Sequence, residues 1–333
     1  MNENELLAAL GPLASLYTDP TIVEILVDAP DRVYVWRTDK HEDLSMSFGS
    51  PEALRAVIDT TLALGGVTLG PDKTIGELRF PDGSRMLAII PPTAPDGPCL
   101  VIRRFASTQR ANLITWEFML EHGVLTHQAY EFLQNAMREG ISTLVSGGTA
   151  SGKTTLANRL IECIPADRRV VAVEAVHEIS ARHPRCVYLE TGGPANVSFE
   201  DLIQVAARMG PDYLVIGEVW GPEATSALQI KSHGHGGMMT THADSTEDAL
   251  TRLETMCLMA NLGLGLGEIR RMVASALQLI IFQEKLSAGR RITQITELCG
   301  LENDRYVLRS LFRYNRDKGV LEATGAKASW ENH

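Results

Sequence analysis

The chain has 333 residues, of which 44% are hydrophobic and 22% are charged, ordinary values for a globular protein that exclude wholesale disorder. That length is sufficient for two domains, each with its own buried core. The formal net charge of -10 at pH 7 argues against non-specific binding to nucleic acid or to an anionic membrane as the main activity.

Localisation signals are few. The five cysteines are scattered and form no CxxC pair, which is typical of reduced thiols in a reducing compartment. The amino-terminal sequence MNENELLAAL has no basic region, so we predict no secretory signal. Charged residues such as Glu268 and Arg270 interrupt the apolar stretches, so we predict no transmembrane segment. We therefore expect a cytoplasmic protein.

The first part of the chain, residues 1–106, reads as an α+β domain. TIVEILVD and RVYVWRT flank an APD turn and predict paired strands. SPEALRAVIDTTLALGG has Ser50 in the N-cap position and Pro51 at the first helical position, which predicts a helix. GELRFPDGSRMLAIIPP predicts a strand–turn–strand unit, and CLVIRRF predicts a further strand. Together these elements predict a sheet with helices on one face.

The polar segment FASTQRANLITWE marks the boundary between two domains. We predict a linker over residues 107–125 and a second domain over residues 126–333. ISTLVSG, RVVAVEA and DYLVIGE are short apolar runs, typical of parallel strands buried on both faces. Their alternation with helical segments predicts a parallel α/β sheet. The tail after Arg316 is weakly patterned, and we expect it to be partly disordered.

GGTASGKTT contains the pattern G-x-x-x-x-G-K-T between a predicted strand and a predicted helix, which is the context that a P-loop requires. Such a loop wraps phosphates with backbone N–H groups, and the helix N-terminus adds its dipole. We predict that Lys153 reaches the β- and γ-phosphates of ATP and that the Thr154 hydroxyl ligates Mg²⁺. The alternative is a glycine-rich turn without a ligand. The predicted nucleotide-binding residues of the loop are Gly147, Gly148, Thr149, Ala150, Ser151, Gly152, Lys153, Thr154 and Thr155.

Acidic residues at strand ends are candidates for handling the metal and the attacking water. Glu218 ends DYLVIGE, at the carboxyl edge where ligands of open α/β sheets bind. Gly217 occupies the position where an aspartate usually holds the metal, so Glu218 is predicted to orient water or to bind Mg²⁺ through water. Glu174 ends RVVAVEA. Glu178, four residues later, is predicted to polarise the water because its segment has left the strand.

GHGGMMTTHA, residues 234–243, suggests a metal site, an acid–base pair or a sensor. We predict that MMTTH is the next strand, which places His242 at the same edge as Glu218, near the γ-phosphate. His233 and His235 lack zinc-like spacing and a cysteine partner, and Mg²⁺ prefers oxygen ligands. We therefore predict a nucleotide-sensing role for His242, whereas structural histidines are the alternative for the other two.

In combination, GGTASGKTT, VVAVEAVHEI, PDYLVIGEVWGPEA and GHGGMMTTHA resemble the four signature boxes of secretion-superfamily ATPases. These are hexameric motors of type II and type IV secretion, type IV pili and tight-adherence (Flp) pili. DPTIVEILVDAPDRVYV, FPDGSRMLAIIPP and CLVIRRF resemble the N-terminal domain of the tight-adherence branch. DALTRLETMCLMANLGL and IRRMVASALQLIIF match that branch's C-terminal helices. The sequence has no four-cysteine metal insertion, which argues against the type II secretion and retractile-pilus branch.

The resemblance implies an α/β protein with an N-terminal α+β domain followed by a RecA-like P-loop NTPase domain. It implies a homo-oligomeric, hexameric ATPase that uses ATP and Mg²⁺. The partners that it implies are the inner-membrane platform proteins of a pilus or secretion machine, through which the chain would associate peripherally with the membrane. No direct contact with nucleic acid is expected.

The resemblance also assigns roles to single residues. The residues that match the family's boxes are Lys153, Thr154, Glu174, Glu178, Glu218 and His242. Arg103 and Arg104 match the arginines that reach the nucleotide phosphates when the domains close. Adjacent side chains on a strand face opposite ways, so only one of the two can point into the cleft.

Three departures from the family pattern bear on the turnover rate. Ala175 stands where the Asp box usually has a second acid, and Trp220 stands where the acidic box usually has an arginine. Ala150 stands where the P-loop commonly has a glycine, a change expected to be sterically mild. Ala175 and Trp220 therefore motivate one alternative, a low-turnover ATP-binding regulator. A conjugative DNA-transfer motor of the same superfamily is a second alternative, which the sequence pattern discriminates only weakly from a pilus or secretion motor.

Overall fold

The computed structural model describes residues 1–37, 40–105, 114–191 and 197–332. The chain divides into two compact units, Met1–Arg110 and Ala111–His333. This division falls within the predicted linker, of which residues 107–113 lie outside the described residues. The remaining linker residues belong to the second unit, where Trp116 and Met119 are buried in the core.

Within its described residues, the first unit is a six-stranded antiparallel sheet with helices on one face. The strands are β1 (Glu24–Ala29), β2 (Arg32–Arg37), β3 (Lys40–Leu44), β4 (Ile75–Arg79), β5 (Arg85–Ile89) and β6 (Cys99–Arg103). They lie in the order β3-β2-β1-β6-β5-β4. The helices are α1 (Glu3–Leu10), α2 (Ala14–Thr18) and α3 (Pro51–Ala63), with a 3₁₀ turn at Gly11–Leu13.

Alternating burial along the strands of the first unit explains this one-sided arrangement. Ile25 and Val27 of β1 are fully buried, whereas their neighbours along the strand are not, as the period of two of a strand requires. Helix α3 begins where the sequence predicts, because Ser50 Oγ accepts a hydrogen bond from Ala53 N at 3.2 Å. The α+β prediction for this part of the chain is confirmed.

The second unit contains a nine-stranded sheet of mixed direction. Its strands are β7 (Thr143–Gly147), β8 (Val170–Glu174), β9 (Cys186–Glu190), β10 (Tyr213–Glu218), β11 (Met238–Thr241), β12 (Leu279–Leu286), β13 (Gly289–Glu302), β14 (Arg305–Asn315) and β15 (Val320–Ala323). The order is β15-β14-β13-β12-β7-β11-β10-β8-β9. The strands from β12 to β9 in this order are parallel, and β13, β14 and β15 are added antiparallel.

Helices cover both faces of this sheet. They are α4 (Trp116–Glu121), α5 (His127–Arg138), α6 (Lys153–Ile161), α7 (Phe199–Arg208), α8 (Glu223–Lys231), α9 (Thr246–Met259) and α10 (Leu266–Ala276). Side chains of α4, α5 and α6 share one core with the sheet, and those of α7 to α10 share the other. Burial on both faces explains why β7, β8 and β10 are nearly continuous apolar runs. The parallel strands β7, β8, β10 and β11 therefore bring their carboxyl ends to one edge.

Two expectations for the C-terminal region are wrong. LIIF, taken with the preceding helix in the family match, forms the start of β12 instead. A short apolar run has no periodicity that separates a buried strand from a buried helix. The tail is also ordered within the described residues: it forms β15 and a 3₁₀ turn at Ser329–Asn332, and Ala328 is fully buried. Ser329 N donates to Glu297 Oε1 at 3.1 Å, which ties the tail to β13.

Candidate functional site

The P-loop connects β7 to α6 at the carboxyl edge of the parallel strands. Gly147 ends β7 and Lys153 begins α6, so the loop lies at a helix N-terminus, where the dipole favours an anion. A Cβ at Gly147 would lie 2.1 Å from the backbone O of Gln283 in β12, so a side chain does not fit there. A Cβ at Gly148 would meet no heavy atom of the described residues within 4 Å, so the backbone here is open to a ligand.

Lys153 is buried, with 7% of its surface exposed, and lies inside the curve of the loop. Its Nζ donates to the carbonyl oxygens of Gly147 and Gly148, at 3.1 and 3.2 Å. Burial lowers the pKa of the ammonium, and the nearby carboxylates of Glu218 and Glu178 oppose that shift. An ammonium held among backbone carbonyls and carboxylates is placed to exchange these contacts for phosphate oxygens.

Glu218 and His242 complete a three-residue cluster with Lys153. Glu218 Oε1 lies 3.4 Å from Lys153 Nζ, and Glu218 Oε2 lies 3.2 Å from His242 Nε2. The other ring nitrogen, His242 Nδ1, is 3.4 Å from Lys153 Nζ. A neutral imidazole satisfies both contacts if Nδ1 accepts from the ammonium and Nε2–H donates to the carboxylate. The structure thus brings together three residues that the sequence places far apart.

Glu178 lies beside the start of α6, the helix that follows the P-loop. Thr154 Oγ1 donates to Glu178 Oε2 at 3.2 Å, so the predicted metal-binding hydroxyl and the predicted water-polarising carboxylate are in contact. Glu178 is half-buried and follows β8 in an irregular segment. An oxygen-rich pair of this kind suits a hard cation and an ordered water.

Glu174 is buried and its carboxylate is engaged by its own loop. Oε1 accepts hydrogen bonds from Glu178 N at 3.0 Å and from Ile179 N at 2.9 Å, and Oε2 lies 3.1 Å from His177 Nδ1. These contacts bind the segment that carries Glu178 to the end of β8. The nucleotide-binding role predicted for Glu174 stays a prediction, whereas its loop contacts are direct.

The presence of glycine rather than aspartate at position 217 has a steric reason that the sequence did not reveal. A Cβ at this position would lie 2.9 Å from Glu174 Cγ and 3.4 Å from the backbone O of Val173, both on the neighbouring strand β8. The Glu174 side chain therefore fills the space that an aspartate at position 217 would need. The glycine before Glu218 and the packing of the Glu174 side chain are therefore sterically linked.

The remaining histidines of the glycine–histidine segment lie away from this cluster. His235 Nδ1 contacts the backbone O of Pro211 at 3.2 Å, next to the amino end of β10, and His233 is exposed. His242, by contrast, directly follows β11 at the carboxyl edge. The structure therefore separates His242 from the other two.

A cavity of about 200 Å³ adjoins the P-loop on the side of α4 and β12. Its mainly apolar lining comprises Ile114, Phe118, Met119, His122, Val124, Gly152, Thr155, Gln283, Ala288, Gly289, Arg290 and Arg291. The rings of Phe118 and His122 stack at 3.8 Å between centroids, with an interplanar angle of 18°. Sequence reasoning missed this cavity because its walls come from a segment assigned to the linker and from a hairpin more than a hundred residues later.

The sequence comparison decides the family. Residues 7–304 match the family model described as Type II/IV secretion system protein. The chain belongs to this family. This membership confirms the superfamily to which the sequence boxes point.

Individual members of the secretion family support the assignment over most of the chain. The conjugal transfer protein TrbB of Rhizobium radiobacter is 30% identical over 308 residues, covering 91% of this chain and 91% of TrbB. The type IV secretion system protein PtlH of Bordetella pertussis is 30% identical over 311 residues, covering 84% and 91%. The X-ray structure of the Legionella pneumophila ATPase DotB has a TM-score of 0.57 at 16% identity, covering 93% of this chain and 82% of DotB. This last similarity supports the fold, a two-domain chain with a RecA-like core.

The two arginines predicted from the family lie in the first unit. Arg103 is exposed at the end of β6. Arg104 is half-buried, donates from Nη1 to the backbone O of Asp19, and places its guanidinium 5.1 Å from the centroid of the Tyr17 ring. As expected for adjacent residues, the two differ in environment, and their contact with nucleotide stays a prediction.

Among the described residues, no group of three or more His, Cys, Asp and Glu side chains is placed to hold a metal ion. In the same part of the chain, no helix combines the length and apolarity needed to cross a bilayer.

Proposed function

We propose that this secretion-family chain is a Mg²⁺-dependent ATPase that acts as a hexameric motor. It powers pilus assembly or protein secretion through an inner-membrane platform, and its nearest branch is that of tight-adherence (Flp) pili. The observation that carries the proposal is the convergence of Lys153, Glu218, His242 and Glu178 around one P-loop. Each element has a distinct task in phosphoryl transfer, and the four lie within contact distance of the loop or of one another.

The chemistry follows from the charges that the chain places there. Lys153, whose side chain is buried, supplies positive charge to the phosphoryl group as it is transferred. Glu178 or Glu218 orients the attacking water, and the sensor His242 bridges Lys153 and Glu218, so a change at the phosphate reaches both. Chemistry of this type needs positioning and electrostatics rather than a covalent intermediate.

The residues fit the expected metal and phosphates. Ser151 Oγ is buried in the loop and has no hydrogen-bond partner within the described residues. Its hydroxyl is therefore available to donate to a ligand or to accept from one. Thr154 and, through water, Glu218 are the residues that would hold Mg²⁺. A bound ion would neutralise charge on the phosphates, and the few protein ligands offered by Thr154 and Glu218 would suffice to hold it.

The cavity beside the P-loop suits the base of the nucleotide. Its volume of about 200 Å³ is below that of sites for whole drug-sized ligands, roughly 300–1,000 Å³, and its stacked aromatic pair and apolar walls match a planar ring. Gly152 and Thr155 belong to both the P-loop and the cavity. A nucleotide can therefore extend from the phosphate cradle into this space.

Steady-state phosphate release by the purified protein tests the proposal. We expect release that requires Mg²⁺ and that falls to background in Lys153→Ala, with the assembly state followed by native mass measurement with and without ATP. Release no higher than in Lys153→Ala would contradict the motor. That result would favour a low-turnover ATP-binding regulator, for which Ala175 and Trp220 are the motivation.

Transfer of a DNA complex is a second candidate function. It is favoured by the similarity to TrbB, which is described as a conjugal transfer protein and is covered over nearly its full length. Replacing the gene in its host by the Lys153→Ala allele separates the cargoes. Loss of surface pili or of secreted protein supports the first proposal, and loss of plasmid transfer alone supports the second.

A further inference from the structure

The hairpin of β12 and β13 forms one wall of the P-loop. Gln283 of β12 pairs with Gly147 of β7 in parallel register. At the start of β13, Arg290 Nε donates a hydrogen bond to the backbone O of Ala150 at 3.0 Å. A Cβ at Gly152 would lie 3.1 Å from Arg290 Cδ, so the arginine stem also runs close to the loop. One side chain thus contacts the P-loop at two positions.

The contacted residue has an unusual backbone. Ala150 adopts φ +57°, in the left-handed region that favours glycine. The expectation that alanine is sterically mild here is therefore wrong, because at positive φ the Cβ of alanine comes close to the following backbone carbonyl oxygen. An exposed loop residue persists in this conformation when its surroundings fix it. The hydrogen bond from Arg290 is such a constraint, and it is charge-assisted.

We propose that Arg290 is a positioning residue for the phosphate cradle. By holding the Ala150 carbonyl, it keeps residue 150 left-handed and keeps the backbone N–H groups of the loop directed at the phosphates. The inference rests on the proposed nucleotide-binding function and adds to it a residue outside the four family boxes. Arg290 acts through the loop, so its effect extends to any ligand that the cradle holds.

A direct contact with base or ribose is the competing role, because Arg290 also lines the cavity beside the loop. The two roles differ in their ligand dependence. A base contact matters for Mg²⁺–ADP but not for inorganic tripolyphosphate, which has no base. A positioned cradle matters for both ligands to a similar extent.

Calorimetric titration of Mg²⁺–ADP and of tripolyphosphate into the full chain tests the proposal. We expect Arg290→Ala to weaken both by about tenfold, the effect of one charge-assisted hydrogen bond. Glycine adopts positive φ without penalty, so adding Ala150→Gly to Arg290→Ala should restore both affinities to within about threefold of the parent. Arg316→Ala is the matched control, because Arg316 pairs with Glu284 of β12 at 3.3 Å on the exposed surface. It should leave both affinities unchanged.

Three results would overturn the inference: a loss confined to Mg²⁺–ADP, an absence of rescue by Ala150→Gly, or an equal loss in Arg316→Ala. The proposed function fails differently. If the parent chain binds both ligands but releases no phosphate, the ATPase proposal is contradicted, whereas the positioning role, measured by binding and rescue, is supported.

Discussion

At the carboxyl edge of the nine-stranded sheet, the buried Lys153 lies among charged side chains, with Glu218 at 3.4 Å and His242 joining the two. At the amino edge, a more deeply buried lysine, Lys231, contacts a backbone carbonyl, that of Leu214 at 3.4 Å. Strand β10 links the two edges, since Leu214 lies near its start and Glu218 at its end.

Other polar side chains follow the same division. At the amino edge, Tyr213 donates to the backbone O of Met137 at 2.7 Å, and Asp212 Oδ2 accepts from Arg169 N at 2.7 Å. These contacts satisfy backbone groups and so stabilise the fold. At the carboxyl edge, Lys153, Glu218 and His242 also contact one another and can exchange partners. We therefore expect substitutions at the carboxyl edge to change activity, and those at the amino edge to change stability.

The largest effect is expected for Lys153→Met. Loss of the ammonium should lower the rate of phosphate release on the order of 10³-fold, because no other described lysine lies among the phosphate-binding elements. The free energy of unfolding should stay the same or rise, since burial opposes the charge. Steady-state release and urea unfolding measure the two quantities. If Lys153→Met retained turnover, the expectation that substitutions at the carboxyl edge change activity would be contradicted.

Glu218→Gln is expected to have the next largest effect. The amide keeps the shape of the side chain but loses the charge that orients water, so kcat should fall about 10²-fold while nucleotide affinity changes little. Asp212→Asn, at the opposite end of β10, is the matched control and should leave kcat unchanged. Equal losses in the two variants would mean that the edge at which the carboxylate lies does not determine its role.

Glu174→Gln tests whether Glu174, also at the carboxyl edge, acts by holding the segment that carries Glu178. Glu174 Oε1 accepts from the backbone N of Glu178 and of Ile179, and Oε2 also accepts from Ile179 N, so in either orientation the amide turns an N–H group toward an N–H donor. We expect the free energy of unfolding to fall by about 1–3 kcal/mol and kcat to fall by about tenfold, because the segment that carries Glu178 loosens. A loss of activity without any loss of stability would instead favour direct contact of Glu174 with nucleotide.

The smallest effect on activity is expected for Lys231→Met. Burial lowers the pKa of Lys231 from 10.5 to about 7 in the folded chain. Between these values the unfolded chain binds more protons, so the free energy of unfolding should rise with pH by up to about 1.4 kcal/mol per unit from this group. Methionine should remove that slope, add stability at pH 7 and leave phosphate release unchanged. Urea unfolding at pH 7 and pH 9 measures the slope, and an unchanged slope would show that Lys231 does not titrate in this window.

The sequence predicts much of the fold because local patterns are strong there. The apolar runs of β7, β8 and β10 and the cap at Ser50 specify elements without long-range information. The P-loop and the strand that follows Glu218 place Lys153 and His242 at one edge. These predictions depend on periodicity, on the motif and on the geometry of parallel strands.

The remaining features depend on contacts between distant residues. The order of the tail depends on Glu297, 32 residues before Ser329, and the wall of the P-loop depends on Arg290, 140 residues after Ala150. Glu174 and Glu218 look alike in sequence, since each ends a buried strand. Their environments differ because only Glu174 meets the backbone amides of a returning loop.

Calorimetric titration of the slowly hydrolysed analogue Mg²⁺–ATPγS into Lys153→Met and Lys231→Met compares the two edges of the sheet directly. Both variants replace a buried lysine, each in a helix that packs on the same sheet, by the same side chain. We predict that Lys153→Met loses binding, whereas Lys231→Met binds as tightly as the parent chain. Retained binding by Lys153→Met, or its loss in Lys231→Met, would contradict the assignment of the carboxyl edge as the nucleotide site.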